Sequence, residues 1–336
     1  MAPQAKPRAT YSEIAKAAGV SEATVSRVLN GDPRVNPDRV AAVQKVVEEL
    51  GYKRHRAAAA LASGRSNLIA IVIDDDLSVF SDPFWATISS GVSRVLMQNE
   101  LQTLLLVASV DSVDGPVAHY LQGGEVDGAI FFQLHKETLV KRLAKQGMPV
   151  VISGTPHGSS DFVYVDSDNF GGALQATKHL MAQGCKRVAT ITGDTVATAG
   201  NQRLEGFLQA YRERGTVANK NLIAHGDYSF ESGKEQMRLL LERDMGVDGI
   251  FAANDLMAIG AIAAIEESGL SVPNDIKVVG FDDSIMAQTS RPSITSVRQD
   301  IVRLGETLGE LMIRKLAGEE IEPVILPTEL VIRESA

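Results

Sequence analysis

Residues 10–30 read TYSEIAKAAGVSEATVSRVLN, and the fold of the chain's first part is decided there. Thr10 followed three residues later by Glu13 fits a capping box, in which each side chain satisfies the other's unpaired backbone N–H. The helix it opens carries Ile14, Ala15 and Ala18 on one face and stops at Gly19. Ser21 suits an N-cap, and Val25, Val28 and Leu29 give a second helix its apolar stripe. Two short helices joined by Ala18-Gly19-Val20 predict a helix-turn-helix. Further out, Asn36 as N-cap and Pro37 at the first helical position open a third helix, with Val40, Val43, Val47 and Leu50 inward and Gly51 at its end. A small all-α head over residues 1–51 is expected.

Charge separates this head from the rest. Residues 1–65 hold eleven Lys and Arg against six Asp and Glu, a net of +5; the other 22 basic and 36 acidic residues leave −14 on the remainder. A basic head on an acidic body favours a polyanionic partner at one end, although counting alone leaves a chance fluctuation of surface charge open. A length of 336 residues suggests two or three folded units, and 44% apolar with 22% charged residues excludes general disorder. Leu68–Ile73 and Ala258–Ile265 are among the longest apolar runs, far short of the ~18–20 residues that span a bilayer. The N-terminus is polar and basic, without an apolar signal core, so a cytoplasmic location away from membranes is expected. The lone Cys185 excludes an internal disulfide framework and a Cys-based zinc cluster, and no metal site is expected.

The wording of Thr10–Asn30, continued by Arg34-Val35-Asn36-Pro37 and Leu50-Gly51-Tyr52, closely resembles the DNA-binding head of the lac repressor/galactose repressor family. The resemblance implies DNA contacts from Thr10, Tyr11, Ser21, Glu22, Ala23, Thr24, Ser26, Arg27, Asn30, Arg34 and Asn36. Glu22 and Ala23 match the positions from which the family reads bases, and Arg27 one turn later suits a bidentate bond to guanine. Ser21, Thr24, Ser26, Asn30, Arg34 and Asn36 match phosphate contacts that fix register. Glu22 has two open readings, an acceptor for cytosine N4 or a first-turn acid complementing the helix dipole. Residues 52–65, YKRHRAAAALASGR, match the family's hinge, with Tyr52, Ala58, Leu61 and Ala62 at the DNA. There Leu61 matches a wedge that enters the minor groove and kinks the duplex by ~20–90°. A plain linker helix whose Leu61 packs on the body is the alternative.

Beyond Ser66, short β-branched runs alternate with helical stretches. Strands are expected at Leu68–Ile73, Thr103–Ala108, Gly128–Phe132 and Val150–Ser153, with helices at Ala86–Gln98, His119–Gln122 and Leu139–Gln146. Val126-Asp127-Gly128-Ala129-Ile130-Phe131 recurs as Val247-Asp248-Gly249-Ile250-Phe251, so the α/β order repeats. The second half opens with Arg187–Thr192 and continues with strands near Asn221–Ala224, Gly249–Ala252 and Lys277–Gly280. Leu304–Leu316 reads as an amphipathic helix with Leu304, Leu308, Leu311 and Met312 on one face, and Val324–Ile332 as a closing strand. Two such lobes suggest a cleft where strand carboxyl ends converge. This resembles the periplasmic-binding-protein-like body of the same family. The fold class expected is α/β: the helix-turn-helix head plus two doubly wound parallel-sheet subdomains. An effector-binding and dimerisation domain then spans 66–336, with lobe 1 near 66–165 plus 298–323 and lobe 2 near 166–297 plus 324–336.

Within the cleft the resemblance implies effector contacts from Phe84, Trp85, Arg203, Tyr228, Asn254, Asp282 and Gln299. Arg203 offers a donor fork and Asp282 an acceptor pair suited to vicinal hydroxyls; a structural ion pair between them is the alternative. Phe84 and Trp85 read either as a platform for a sugar ring or as core. Gly154-Thr155 departs from the Asp-Arg or similar polar pair of many members, leaving Thr155, His157 or Gln133 as substitutes. Asp74-Asp75-Asp76 reads as a solvated run.

No Walker motif, His-Glu-x-x-His or Gly-x-Gly-x-x-Gly after a lobe's first strand is present, and Asp282 and Asp283 on one strand end point apart, so an enzyme is not expected. The resemblance implies a repressor that binds double-stranded operator DNA as a homodimer, with no cofactor but a small-molecule effector, a sugar first. Rival readings are a purine, nucleoside or protein corepressor, a solute-binding protein, and a purely architectural DNA protein. No leucine heptad follows Leu316, so a coiled-coil tetramer is not expected.

Overall fold

The computed structural model describes residues 9–29, 32–52, 65–73, 82–107, 114–132, 137–157 and 162–336. Asn30, Ala58, Leu61, Ala62, Asp74–Asp76 and Gln133 lie outside them. The chain divides into two units, Met1–Ser66 and Asn67–Ala336.

The first unit contains α1 (Tyr11–Ala18), α2 (Glu22–Leu29) and α3 (Pro37–Glu49). Its caps are those the side chains predict. Glu13 N donates to Thr10 Oγ1, and Thr10 N donates back to Glu13 Oε2 at 2.7 Å. Gly19 takes φ 65°, a left-handed turn that L residues with a Cβ resist. Thr24 N donates to Ser21 Oγ, and Asp38 N donates to Asn36 Oδ1. Ile14, Ala15, Val25, Val28, Val43 and Val46 form the core, with Val40 and Val47 packed against it. Leu50 was expected inward and is 46% exposed. Helix α3 ends just before it, and Val46 one turn earlier takes the buried place.

The second unit holds two six-stranded sheets. Lobe 1 is built from β1 (Leu68–Ile73), α4 (Pro83–Gln98), β2 (Gln102–Val107), α5 (Pro116–Gln122), β3 (Gly128–Phe132), α6 (Thr138–Lys145), β4 (Val150–Ser153) and β5 (Val163–Ser167). Lobe 2 follows with α7 (Asn169–Ala182), β6 (Val188–Thr192), α8 (Thr198–Glu213), β7 (Ile223–His225), α9 (Phe230–Glu242), β8 (Gly249–Ala252), α10 (Asp255–Glu267), β9 (Lys277–Asp282), α11 (Ile285–Thr289) and β10 (Thr295–Gln299). The chain then returns through α12 (Ile301–Leu316), β11 (Val324–Leu326) and β12 (Thr328–Val331).

The two sheets repeat one order, β2-β1-β3-β4-β5-β11 and β7-β6-β8-β9-β10-β12. Every neighbouring pair is parallel except β10 with β12. Both faces of each sheet are covered, which is why the strands are near-continuously apolar. On β1, Ile69, Ile71 and Ile73 face α4 and α12, whereas Ala70 and Val72 face α5 and α6. Leu304, Leu308, Leu311 and Met312 of α12 are all buried in the first of these layers, as their spacing predicts. The repeated Val-Asp-Gly has one job in both lobes. Asp127 accepts from Asn67 N at 2.8 Å, and Asp248 accepts from Lys186 N and Arg187 N, so each staples the entry to its lobe's first strand.

The lobe boundaries differ from expectation. Val324–Ile332 is not one strand: β11 pairs with β5 in lobe 1, and β12 pairs with β10 in lobe 2. Pro327 stands between them; lacking an N–H, it breaks the ladder where the chain changes sheets. Strand β5 also runs two residues past the expected limit, and β10 reaches Gln299. The crossings are clasped together: Asp168 N donates to Leu326 O at 2.8 Å, and Thr328 Oγ1 to Asp168 O at 3.2 Å.

Candidate functional site

Two groups of expected residues are assembled, one on each unit. On the head, α2 exposes Glu22, Ala23 and Arg27 beside exposed Ser21, while Val25 and Val28 turn inward. Ser26 is half-buried, and Thr10 and Asn36 are exposed at the starts of their helices. An exposed first turn with an arginine one turn on is the geometry a major-groove reader needs. Thr24 is 9% exposed and shares a 2.9 Å hydrogen bond with Ser21 Oγ. Tyr11 and Tyr52 pack on the helical core with ring centroids 6.0 Å apart. Arg34 donates from Nε and Nη2 to Asp32 at 2.9 and 2.8 Å. Those bonds hold the Asp32 carboxyl at about 2, so the head itself offsets the Arg34 charge.

On the body, lobe 2 brings Arg203, Tyr228, Asn254, Asp282 and Gln299 to the carboxyl ends of its strands, beside the point where strand order reverses. Arg203, on α8, is 6% exposed; its Nη1 donates to Ala253 O at 2.5 Å, and its guanidinium lies 3.7 Å from the centroid of the Phe281 ring. Its ion pair with Asp282 spans 3.8 Å. The shorter contact of Asp282 is with Gln299, whose Nε2 donates to Oδ1 at 2.5 Å. Burial pushes the Asp282 carboxyl well above the usual range; Arg203 opposes that, while the charges of Asp255 and Asp82 reinforce it. Asn254 is occupied at both ends: Oδ1 caps α10 by accepting from Met257 N, and Nδ2 donates to Tyr228 O at 2.9 Å. It positions Tyr228, which stands at φ 72° with its ring over the Cα of Gly193; burial pushes that phenol up to about 12.

Lobe 1 contributes Phe84 and Trp85 in the first turn of α4. Both are half-buried against the lobe-1 core, Trp85 stacking on Phe132 at 6.1 Å and meeting Phe84 edge-on at 5.1 Å. They therefore have core contacts and a partly open face together. The sequence reading missed Asp82, which caps α4 by accepting from Phe84 N at 2.9 Å. Burial raises its carboxyl, and Arg203 of the other lobe pulls it back, so charge communicates across the cleft. Asp82-Pro83 could have marked the helix start, an N-cap followed by Pro at N1, though not the cleft beside it. Of the substitutes for the missing polar pair, Thr155 is committed to Asp166, donating from both N and Oγ1 at 2.8 Å. His157 instead meets Thr198 of lobe 2 at 3.3 Å.

Asp283 is turned away from Asp282 and is held by Arg298 at 2.7 Å and by Arg333. The adjacent carboxylates do not form an acid/base pair. Among the described residues no cluster of potential metal ligands occurs, and no helix is long and apolar enough to cross a membrane.

The family of bacterial regulatory proteins, lacI family, matches residues 10–55, and a periplasmic binding protein-like domain matches residues 177–336. HTH-type transcriptional regulator CelR of Thermobifida fusca is 38% identical over 334 residues, 98% of each chain. Catabolite control protein A of Priestia megaterium is 31% identical, covering 97% of this chain and 98% of its own. Among solved structures, a CelR–cellobiose complex superposes with a TM-score of 0.76 at 37% identity, over 98% of this chain and 100% of the other. The lac repressor dimer bound to operator and the anti-inducer ONPF reaches 0.87 at 26% identity, over 98% and 99%.

Proposed function

Because the chain belongs to the lacI family of bacterial regulatory proteins, we propose that it is a transcriptional repressor whose operator affinity is set by an uncharged carbohydrate between its lobes. The observation that carries the effector half is the convergence of Arg203, Asp282 and Gln299 at the cleft. A guanidinium fork beside a carboxylate suits vicinal hydroxyls, which both donate and accept. Two part-buried carboxylates, Asp82 and Asp282, share the charge influence of one arginine, Arg203, a balance that disfavours a phosphorylated ligand. Trp85 and Phe84 supply the apolar surface that a sugar ring's C–H face needs.

The reading is of a binding protein that acts without catalysis, since Asp282 is engaged by Arg203 and Gln299, Asp283 by Arg298 and Arg333, and Asp82 by the backbone of its own helix. Action as a homodimer follows from the head: two-fold operators need paired recognition helices, with half-sites about 34–36 Å apart unless the hinge sets another spacing. The hinge roles of Ala58, Leu61 and Ala62 and the DNA contact of Asn30 belong to the same proposal. Cellobiose is the first ligand to try, being the sugar in the CelR complex.

The test follows Trp85 fluorescence during cellobiose titration and, separately, release of an operator duplex by anisotropy. Asp282→Asn keeps the shape and removes the charge; it is expected to weaken sugar binding by roughly 10–100-fold, the range for a hydrogen bond to a charged group. Sugar binding unchanged by Asp282→Asn and Arg203→Lys alike means the effector lies elsewhere.

A further inference from the structure

Asn169, the first residue of α7, is 1% exposed and sits where the chain passes from lobe 1 to lobe 2. Its Oδ1 accepts from Arg203 Nε at 2.9 Å. Its Nδ2 donates to Asp166 Oδ1 at 2.9 Å and to Ser167 O at 3.1 Å. Asp166 belongs to β5 of lobe 1. Its Oδ1 also accepts from Ser167 N, and its Oδ2 accepts from Thr155 N and Oγ1, each at 2.8 Å. A line of hydrogen bonds therefore runs from the end of β4, through β5 and over the crossing, to the guanidinium on α8.

The chemistry of that line admits few side chains at position 169. Arg203 Nε–H can only donate and the Asp166 carboxylate can only accept, so the residue between them must offer an acceptor to one and a donor to the other. An amide does both. Helix capping is not its task, because Asp168 is the N-cap of α7 and accepts from Gly171 N at 2.8 Å. With Nε held by Asn169, Nη1 by Ala253 O and the plane by the Phe281 ring, the orientation of the guanidinium is determined. Among the described residues no hydrogen bond engages Nη2, which leaves that nitrogen for a ligand.

We propose that Asn169 is the positioning residue for Arg203, and that through Asp166 it ties the arginine's orientation to the crossing between the lobes. Any change in the angle at the crossing then moves the fork that meets the effector, and effector contact with the fork is felt at β5. This second consequence rests on the effector reading above; the positioning itself does not.

The experiment reads the arginine directly in the full-length protein. With 15N-arginine labelling, the Arg203 Nε–Hε signal is identified by its loss in Arg203→Lys, and its solvent exchange is measured without ligand. Asn169→Ala is expected to speed that exchange by roughly tenfold or more, as loss of a hydrogen bond to a charged group does. Asn169→Asp keeps the acceptor for Arg203 but repels Asp166; slow exchange should return, while the response of operator affinity to cellobiose stays impaired. A merely structural role for Asn169 predicts no such recovery. Unchanged exchange in a folded Asn169→Ala protein overturns the proposal. If that variant does not fold, Asp166→Asn replaces it, with faster exchange expected and unchanged exchange again overturning the idea. Failure of cellobiose to bind the unaltered protein sinks the sugar reading alone, because the exchange measurement needs no ligand.

Discussion

Asp282 and Asp283 are chain neighbours at φ 106° and 56°, both in the region that favours glycine. Such backbone costs about 1–3 kcal/mol per residue and persists where side chains over-determine it. Here Gln299 and Arg203 hold one carboxylate, and Arg298 with Arg333 holds the other. Behind them Asp255 is fully buried, accepting from Ser296 Oγ and Ser284 N. Burial pushes its carboxyl from 3.8 up to about 7, with Asp283 adding to the shift. The fold thus favours the protonated form: its contribution to stability is fully present below about 4 and is lost as pH rises through about 7. Asp255→Asn removes that titration, so its stability relative to the unaltered body should improve progressively between pH 4 and pH 8. Urea unfolding at both ends of this range measures it, and a pH-independent difference contradicts the buried-acid account. On the head, Asp32→Ala releases Arg34 from its bidentate partner. The slope of log affinity against log salt should then steepen by about one for DNA of any sequence. An unchanged slope means Arg34 makes no phosphate contact. Arg203 and Asp282 were legible as residue types in a familiar setting; Asp82 and Asn169 were not, because a capping Asp and a helix-start Asn look alike whether or not a cleft lies beside them.

At the scale of elements, helices α4 and α12 meet through glycines. A Cβ on Gly305 would lie 2.2 Å from Ile88 O, and one on Gly91 2.6 Å from Val302 O. Backbone this close cannot yield to a methyl group, so Gly305→Ala should force the helices apart and cost about 1–3 kcal/mol. Thermal or urea unfolding of the body checks this, and a loss below the error of measurement refutes the seam. The glycine spacing was visible in the helix, yet nothing in it named α4 as the partner. Element ends were read to within a few residues where a cap marked them. Pro83 and Pro116 each begin a helix earlier than the apolar stripe alone suggested. Leu50 failed for a different reason: the apolar periodicity runs on to the C-cap, one residue past the end of the helix at Glu49 and just before Gly51.

For the whole molecule, the proposed function requires that effector and operator be linked through an equilibrium between conformations. If cellobiose weakens operator binding by some factor, operator must weaken cellobiose binding by the same factor. Calorimetric titrations with and without a saturating operator duplex test this, and equal sugar affinity in both removes the allosteric reading. The sequence by itself determined the head's three helices, the α/β class of the body and its duplication, because caps, helical and strand periodicity and the repeated Val-Asp-Gly are local signals. It also contained the residue types of the cleft. Tertiary structure alone decided which sheet receives each of the strands flanking Pro327, since both are short, half-buried and alike in composition. It alone joined Asn169 to Arg203 across 34 positions and Thr155 to Asp166 across 11. Hydrogen bonds of that kind depend on which donor the packed lobes bring to which acceptor, and no periodicity along the chain records that pairing.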